Sequence, residues 1–249
     1  MGRGGERAGP GPRSEGEAPF RTGFNGRMPP VDAHPPKPPA HPAPSAPAHP
    51  APSVPAHPAP SVPDLYGHGL RLRPWDPDSD VDVEAWLHGH TDPVFRRWNT
   101  PLRTVHDIDS ARESMAARAE SVARGTSVAY CVTEADGGAV LGHIGLNAMD
   151  PVMSRASLGY WVLPGARGRG VATRALALTS RWAFSELELH RLELDHALRH
   201  EASCRVAERC GFRYEGTLRG AMFAEGRQDA FRDAHLHARL ATDPEPALG

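Results

Sequence analysis

Lysine is all but missing from this chain: Lys37 is the only one among 28 basic residues. The rest are arginine, which reads as the imprint of a GC-rich coding sequence rather than as function. No charge sign dominates either. The formal net charge is −2, so the overall balance does not point to nucleic acid, and no direct nucleic-acid binding is expected. Cysteine is scarce. Cys131, Cys204 and Cys210 form no CxxC pair and leave one thiol unpaired. That suits a reducing cytosol and argues against a zinc site or a disulfide framework. No apolar run approaches the ~20 residues that span a bilayer, and residues 1–27 hold no apolar signal core. The expected location is the cytoplasm, away from membranes. Gly2 invites a myristoyl group, but Glu6 stands where Ser or Thr is wanted.

What is abundant is proline, and it is placed unevenly: residues 1–63 hold 18 of the 26. Residues 1–27 carry few apolar anchors and cannot offset their ordering entropy. An eight-residue repeat then runs through 40–47, 48–55 and 56–63; the last two copies are identical and the first has Ala46 where they have Val. Proline fixes φ and removes donors, so residues 29–63 read as an extended tether, roughly 110 Å long at ~3.1 Å per residue. Such a tether is a spacer, a ligand for a proline-binding partner or a metal-catching His-Pro tract, although His41, His49 and His57 are spaced too far apart to chelate one ion readily. The expected organisation is a disordered extension over 1–66, one folded domain over 67–241 and a flexible tail over 242–249.

The folded part begins with a half-buried strand at Leu70–Arg73. Helices are expected over Val81–His90 and from a cap at Thr104 to a stop at Gly125. Phe95 and Trp98, between them, read as core or as the wall of a substrate groove. Strands follow at Thr126–Glu134 and Val140–Leu146 around an Asp136-Gly-Gly138 turn, then at Ala156–Leu163. A helix from Val171 to Leu187 leads to a strand at Arg191–Leu198. Strand, helix, strand at this length predicts a parallel pair on either side of the helix. A short helix, Glu201–Cys210, ends at Gly211, and residues 213–240 form a hairpin about Glu225-Gly226.

The stretch with chemistry in it is Leu158-Gly-Tyr-Trp-Val-Leu-Pro-Gly-Ala-Arg-Gly-Arg-Gly-Val-Ala-Thr173. A strand breaks at Pro164-Gly165, passes an Arg/Gly loop and enters a helix at Val171. Glycines admit close backbone approach, and the first free N–H groups of a helix point at negative oxygens. A phosphate-bearing ligand at 167–173 is the expectation. A P-loop would need Lys-Ser/Thr where Val171-Ala172 stand. A dinucleotide fingerprint would need Gly or Ala where Thr173 stands. A nucleotide-binding enzyme and an ordinary surface turn remain as alternatives at this point.

Arg167-Gly168-Arg169-Gly170-Val171-Ala172 resembles the R/Q-x-x-G-x-G/A pyrophosphate loop of the GNAT acetyltransferases. His200-Glu-Ala-Ser-Cys-Arg-Val-Ala-Glu-Arg-Cys-Gly-Phe212 resembles the N-x-A-S-x-R-V-A-E-K-x-G-F segment of their RimJ/RimL-like branch, the ribosomal-protein N-terminal acetyltransferases. Gly226-Arg227 and Arg232-Asp-Ala-His-Leu236 are similar to that branch's G-R … R-D-x-x-L ending. The order is right and covers 70–240. The resemblance implies an α/β (α+β) GNAT fold: a mixed, mostly antiparallel sheet of six to seven strands, helices on both faces, and a splayed central strand pair. It implies acetyl-CoA as cosubstrate, no metal, and transfer of an acetyl group to a primary amine. A protein N-terminus of the ribosomal type is the first expectation for that amine. Small amines such as an aminoglycoside, a polyamine or an amino acid are the alternative, and a non-catalytic acyl-CoA-binding module, tethered to a partner by the proline arm, is the rival; a monomer or homodimer is expected.

Carried onto this sequence, the resemblance assigns cofactor contacts to Trp161, Val162, Leu163, Arg167, Gly168, Arg169, Gly170, Val171, Ala172, Thr173, His200 and Ser203. Trp161 or Val162 would offer a backbone N–H to the thioester oxygen, beside a bulge that parts two strands. Ser203 would protonate the leaving thiolate. Glu193 and Asp195, on one face of a strand, would act as the base through water. His200 departs from the family's Asn, and its ordinary titration near pH 6.5 would make cofactor affinity pH-dependent. Cys204 and Cys210 read as small core residues of their helix.

Overall fold

The computed structural model describes residues 62–247; the proline-rich extension and its repeats lie outside the described residues. Strand β1 (Leu65–Gly67) turns through His68 and Gly69, both at positive φ (52° and 72°), into β2 (Leu70–Pro74). Two left-handed residues give the turn whose twist matches antiparallel strands. Leu70 and Leu72 are fully buried while Arg71 and Arg73 are only partly so, the alternation expected of a strand with one apolar face.

Three helices follow. Helix α1 (Asp80–Thr91) is capped by Ser79, whose hydroxyl accepts from the Asp82 N–H. Asp82 is fully buried, and Arg73 meets it in a two-pronged ion pair of 2.6 and 2.7 Å. This pair ties α1 to β2. Helix α2 (Pro93–Trp98) starts on an Asp92 cap. Helix α3 (Ile108–Ala123) starts at Asp107, three residues later than the cap expected at Thr104. The reason is reciprocal capping: Asp107 Oδ1 accepts from the Ser110 N–H at 2.8 Å, and Ser110 Oγ accepts from the Asp107 N–H at 3.0 Å.

The remaining elements are β3 (Val128–Glu134), β4 (Val140–Asp150), β5 (Arg155–Val162), α4 (Val171–Ser185), β6 (Arg191–Ala197), α5 (Glu201–Arg209), β7 (Arg213–Ala224) and β8 (Arg227–Leu240). They form one sheet in the order β1-β2-β3-β4-β5-β6-β8-β7. The sheet has eight strands rather than six or seven, because the three-residue β1 is too short to show a period. Every pairing is antiparallel except β5 with β6, which is parallel and bridged by α4.

That parallel pair is short. Arg155, Ala156 and Ser157 pair with Arg191, Leu192 and Glu193, and pairing ends there. Beyond Ser157 the strands part. The expected bulge is not in this stretch: β5 stays in register with β4 from Ser157 to Val162, and the β4–β5 shift lies at Asn147/Asp150. The splayed pair is therefore present without a bulge in the parting strand.

The two faces of the sheet carry separate apolar clusters. Leu158, Tyr160 and Val162 of β5 face α4 and α5, with Leu176, Ala207 and Phe212. Trp161, pointing the other way, joins Val83 and Trp86 of α1 and Ala111 and Met115 of α3. At the C-terminal end Asp243 accepts from the Leu240 N–H at 2.9 Å, and Glu245 pairs with Arg239 at 2.9 Å.

Gly89 makes the α1–β5 contact possible. A Cβ there would stand 2.5–2.7 Å from three carbons of the Trp161 ring. In an exposed helix Gly→Ala gains about 1 kcal/mol; overpacking a rigid indole costs about 1–3 kcal/mol. Gly89→Ala is expected to lower the denaturant midpoint, measured by urea unfolding, and a raised midpoint would refute the close contact.

Candidate functional site

The loop after β5 leaves a row of donors unclaimed. Gly168 and Gly170 sit at φ 74° and 71°, a region that favours glycine, with open space where a Cβ would be. Gly170 caps α4 and offers no side-chain hydrogen bond. Among the described residues, the N–H groups of 168–173 have no backbone partner; the first bond of the helix is Arg174 N–H to Gly170 O. This is the anion-binding arrangement of a helix start.

The arginines of the loop are already committed. The Arg167 guanidinium pairs with the buried Asp92 and donates to Val162 O at 3.0 Å. Burial pushes the Asp92 carboxyl up, but Arg167 and the Phe95 N–H outweigh it and hold it below the usual range. Arg169 pairs with Glu134. The charge expected to face a phosphate is thus balanced by carboxylates, and the free donors are backbone.

A cavity of about 340 Å³ lies between this loop and α5. Its walls include Trp161, Val162, Arg167, Gly168, Gly170, Val171, Ala172, Thr173, His200 and Ser203, ten of the twelve cofactor positions expected from sequence. Leu163 instead packs with the α1–α3 cluster, and Arg169 turns to Glu134. Phe95 and Trp98 of α2 line the cavity, and Phe95 also packs against the α1–α3 cluster, as the core reading expects.

A second cavity of about 390 Å³ lies across β5. Trp86, Phe95, Trp161 and His143 wall it, with Arg118 and Asn147 as polar groups. Asp and Glu do not line it. A third, of about 60 Å³, fills the gap between the parted strands, with Asp195, His196, His200 and Ser203 around it. Tyr160 lines all three. Its hydroxyl is 2.9 Å from Ser203 Oγ, and burial pushes it up to about 12 despite that bond. Sequence reasoning missed Tyr160, although it stands in the quoted strand; what it lacked was the contact with Ser203.

The two carboxylates separate. Asp195 lines the gap, and desolvation followed by the nearby Glu193 raises its carboxyl. Glu193 lines none of these three cavities. It accepts from Arg191 at 2.7 Å, and Arg191 also grips Glu215.

His200 stacks on Trp98 at 4.5 Å and 9°. Burial first, then His196 and Arg232, push its pKa down to about 4. This corrects the expectation of titration near 6.5. Arg232, in the expected R-D pair, donates to the carbonyls of Arg97 and Trp98 and so fixes the end of α2. The strand register also orients the N–H groups of β5. Leu163 N–H donates to Leu141 O, and in an antiparallel ladder this direction recurs every second residue. Trp161 N–H therefore faces β4, and Val162 N–H faces the gap.

Residues 69–213 match the family model described as acetyltransferase (GNAT) domain. The ribosomal-protein-serine acetyltransferase of Escherichia coli is 30% identical over 174 residues, 65% of this chain and 93% of that protein. YdaF of Bacillus subtilis is 37% identical over 89 residues, 36% of this chain and 49% of YdaF. Among solved structures, Mycobacterium smegmatis RimJ in complex with CoA-disulfide superposes with a TM-score of 0.62 at 25% identity, covering 69% of this chain and 82% of that one.

Burial lowers His90, His143 and His200 alike. The unfolded chain protonates these rings near pH 6.5, and the folded chain resists until lower pH. Between about 6.5 and 4 the unfolded state binds more protons, so folding stability falls as pH falls. Thermal unfolding at stepped pH is expected to show Tm dropping through that window. A flat profile would mean that these rings are not held neutral.

Proposed function

Because this chain belongs to the GNAT acetyltransferase family and is an N-acetyltransferase, we propose that its acceptor is a protein N-terminal α-amine of the ribosomal-protein type, carried on a neutral or acidic chain end. The observation that carries this reading is the lining of the second cavity. A polyamine or aminoglycoside brings several positive charges, and a site for it needs carboxylates. This cavity offers aromatic rings, Asn147 and the Arg118 guanidinium, with neither Asp nor Glu in its walls. The similarity to a ribosomal-protein-serine acetyltransferase supports the same acceptor class.

Acetyl-CoA, the family's cosubstrate, supplies a thioester-activated acetyl group. The unclaimed N–H groups of 168–173 fit its pyrophosphate, and the 340 Å³ cavity leading to Ser203 fits the pantetheine arm. Val162 N–H, directed into the gap, donates to the carbonyl oxygen as negative charge gathers there. The Tyr160–Ser203 pair delivers a proton to the departing sulfur from the same point where the cavities meet. Asp195 accepts the amine's proton through water. An α-amine, with pKa about 7.7–8.0, is already partly neutral at pH 7, whereas a lysine amine, near 10.4, is not. A weak carboxylate base therefore suffices for the first and not for the second.

Thiol release is to be followed with peptides bearing free serine or alanine N-termini, the same peptides blocked but carrying lysine, and spermidine. The free N-terminal peptides are expected to exceed spermidine in kcat/KM by about 100-fold or more, a difference of roughly 2.7 kcal/mol. Faster reaction with spermidine would sink the proposal. Tyr160→Phe and Ser203→Ala are each expected to lower kcat by about 100-fold, while calorimetry still detects acetyl-CoA binding. Glu193→Gln should leave kcat within about twofold, since Glu193 faces Arg191 rather than a cavity.

A further inference from the structure

Beside Ser203, but outside the chemistry assigned above, three histidines and a cysteine meet. His235 and His237 lie two residues apart on β8 and so share a face of the sheet. His196 on β6 stands directly opposite His235. Cys204 reaches them from α5: its Sγ is 3.5 Å from His196 Nε2 and 3.4 Å from His235 Nδ1. One ligand atom from each of the four residues lies within 4.8 Å of every other.

These separations are those of a metal's coordination shell. With Zn–S near 2.3 Å and Zn–N near 2.0–2.1 Å, a tetrahedral site has S···N edges of ~3.5 Å and N···N edges of ~3.4 Å. Both sulfur–nitrogen distances match, and a gap at the 4.8 Å limit would close to such an edge by about 1.4 Å of side-chain movement. Two further observations point to a ligand. His237 is 1% exposed, and neither of its ring nitrogens has a hydrogen-bond partner. A buried polar group left unpaired is destabilising, and a bound ion would satisfy it. The Nδ1 of His196 lies 3.1 Å from the Ala197 carbonyl. Donation to that carbonyl fixes the tautomer and turns the Nε2 lone pair toward Cys204, as the outer hydrogen bond of a metal-bound imidazole does.

We infer that His196, Cys204, His235 and His237 form a binding site for a zinc(II) ion, clasping β6, β8 and α5 next to the acetyl-transfer gap. Three imidazoles and one thiolate in a tetrahedron favour zinc among the common divalent ions. A cysteine thiol is protonated at neutral pH, and its thiolate is the form that binds a metal. Binding therefore displaces one proton: Zn²⁺ and Cys–SH give Zn–S⁻ and H⁺ to solvent. The absence of a CxxC pair led the sequence reading to expect no metal and to class Cys204 as core. The ligands instead come from three elements distant in the chain. The inference is independent of the acceptor proposed above.

The test uses the full-length chain, stripped with a chelator, dialysed and titrated with ZnCl₂ or CoCl₂. Mass-spectrometric metal analysis is expected to find one zinc per chain after gel filtration. The cobalt form is expected to show a thiolate-to-metal charge-transfer band. Cys204→Ser should abolish that band, and Cys204→Ser and His235→Gln should each weaken zinc binding by about 100-fold; both sites lie at the accessible side of the cluster, and circular dichroism verifies folding. The His-Pro repeats, with His41, His49 and His57, provide the competing explanation. Metal held there would give no thiolate band and would survive both substitutions. That result, or a folded wild type that retains no stoichiometric zinc, overturns the site.

Discussion

Parallel pairing between β5 and β6 lasts for three residues, and the functional architecture depends on its ending there. Two strands that remained paired would bury Tyr160, Val162 and Asp195 against one another and leave no passage through the sheet. By parting after Ser157 and Glu193 they leave the Val162 N–H without a ladder partner on β6 and admit the Tyr160 hydroxyl to Ser203. The antiparallel strands on either side hold the opening in place. β5 keeps its register with β4 from Ser157 to Val162, and β6 pairs with β8 along its full length. Backbone pairing on both sides thus fixes the width of the gap.

The same economy governs charge. A loop with Arg167 and Arg169 beside a phosphate-sized opening invites a Coulombic account, yet both guanidinium groups are met by carboxylates, Asp92 and Glu134. Their work is to hold the loop. Arg167 joins it to the cap of α2, and Arg232 fixes the other end of α2 beside His200. The N–H groups of 168–173 are left unclaimed, and the loop that presents them turns on two left-handed glycines rather than on flexible side chains.

Much of this was legible in the sequence because it is local. The strand–loop–helix unit, the parallel pair and the left-handed Gly211 after α5 all depend on neighbouring residues, and each stands where its motif places it. Ten of the twelve expected cofactor positions meet in one cavity for the same reason: they lie on two short contiguous stretches. What was not legible depends on distant residues. The strand face shared by Glu193 and Asp195 does not reveal that Arg191, itself held by the distant Glu215, claims the first and that the second is left at the gap. His200 reads as an ordinary histidine until Trp98 is stacked on it. Tyr160 acquires its role only through a residue 43 positions away.

The end of the chain carries a related dependence. Arg239 is 2% exposed, with its Nε and Nη1 unpartnered and its guanidinium over the Phe184 ring. Glu245, beyond the last strand, is its ion-pair partner. A domain boundary drawn at the end of β8, or at the Asp243 that caps it, would strand a cation in the interior, where an unpaired charge costs several kcal/mol. Residues 243–245 are thus tied to the last strand, with Asp243 bonding its backbone and Glu245 balancing a charge that the sheet has taken out of water.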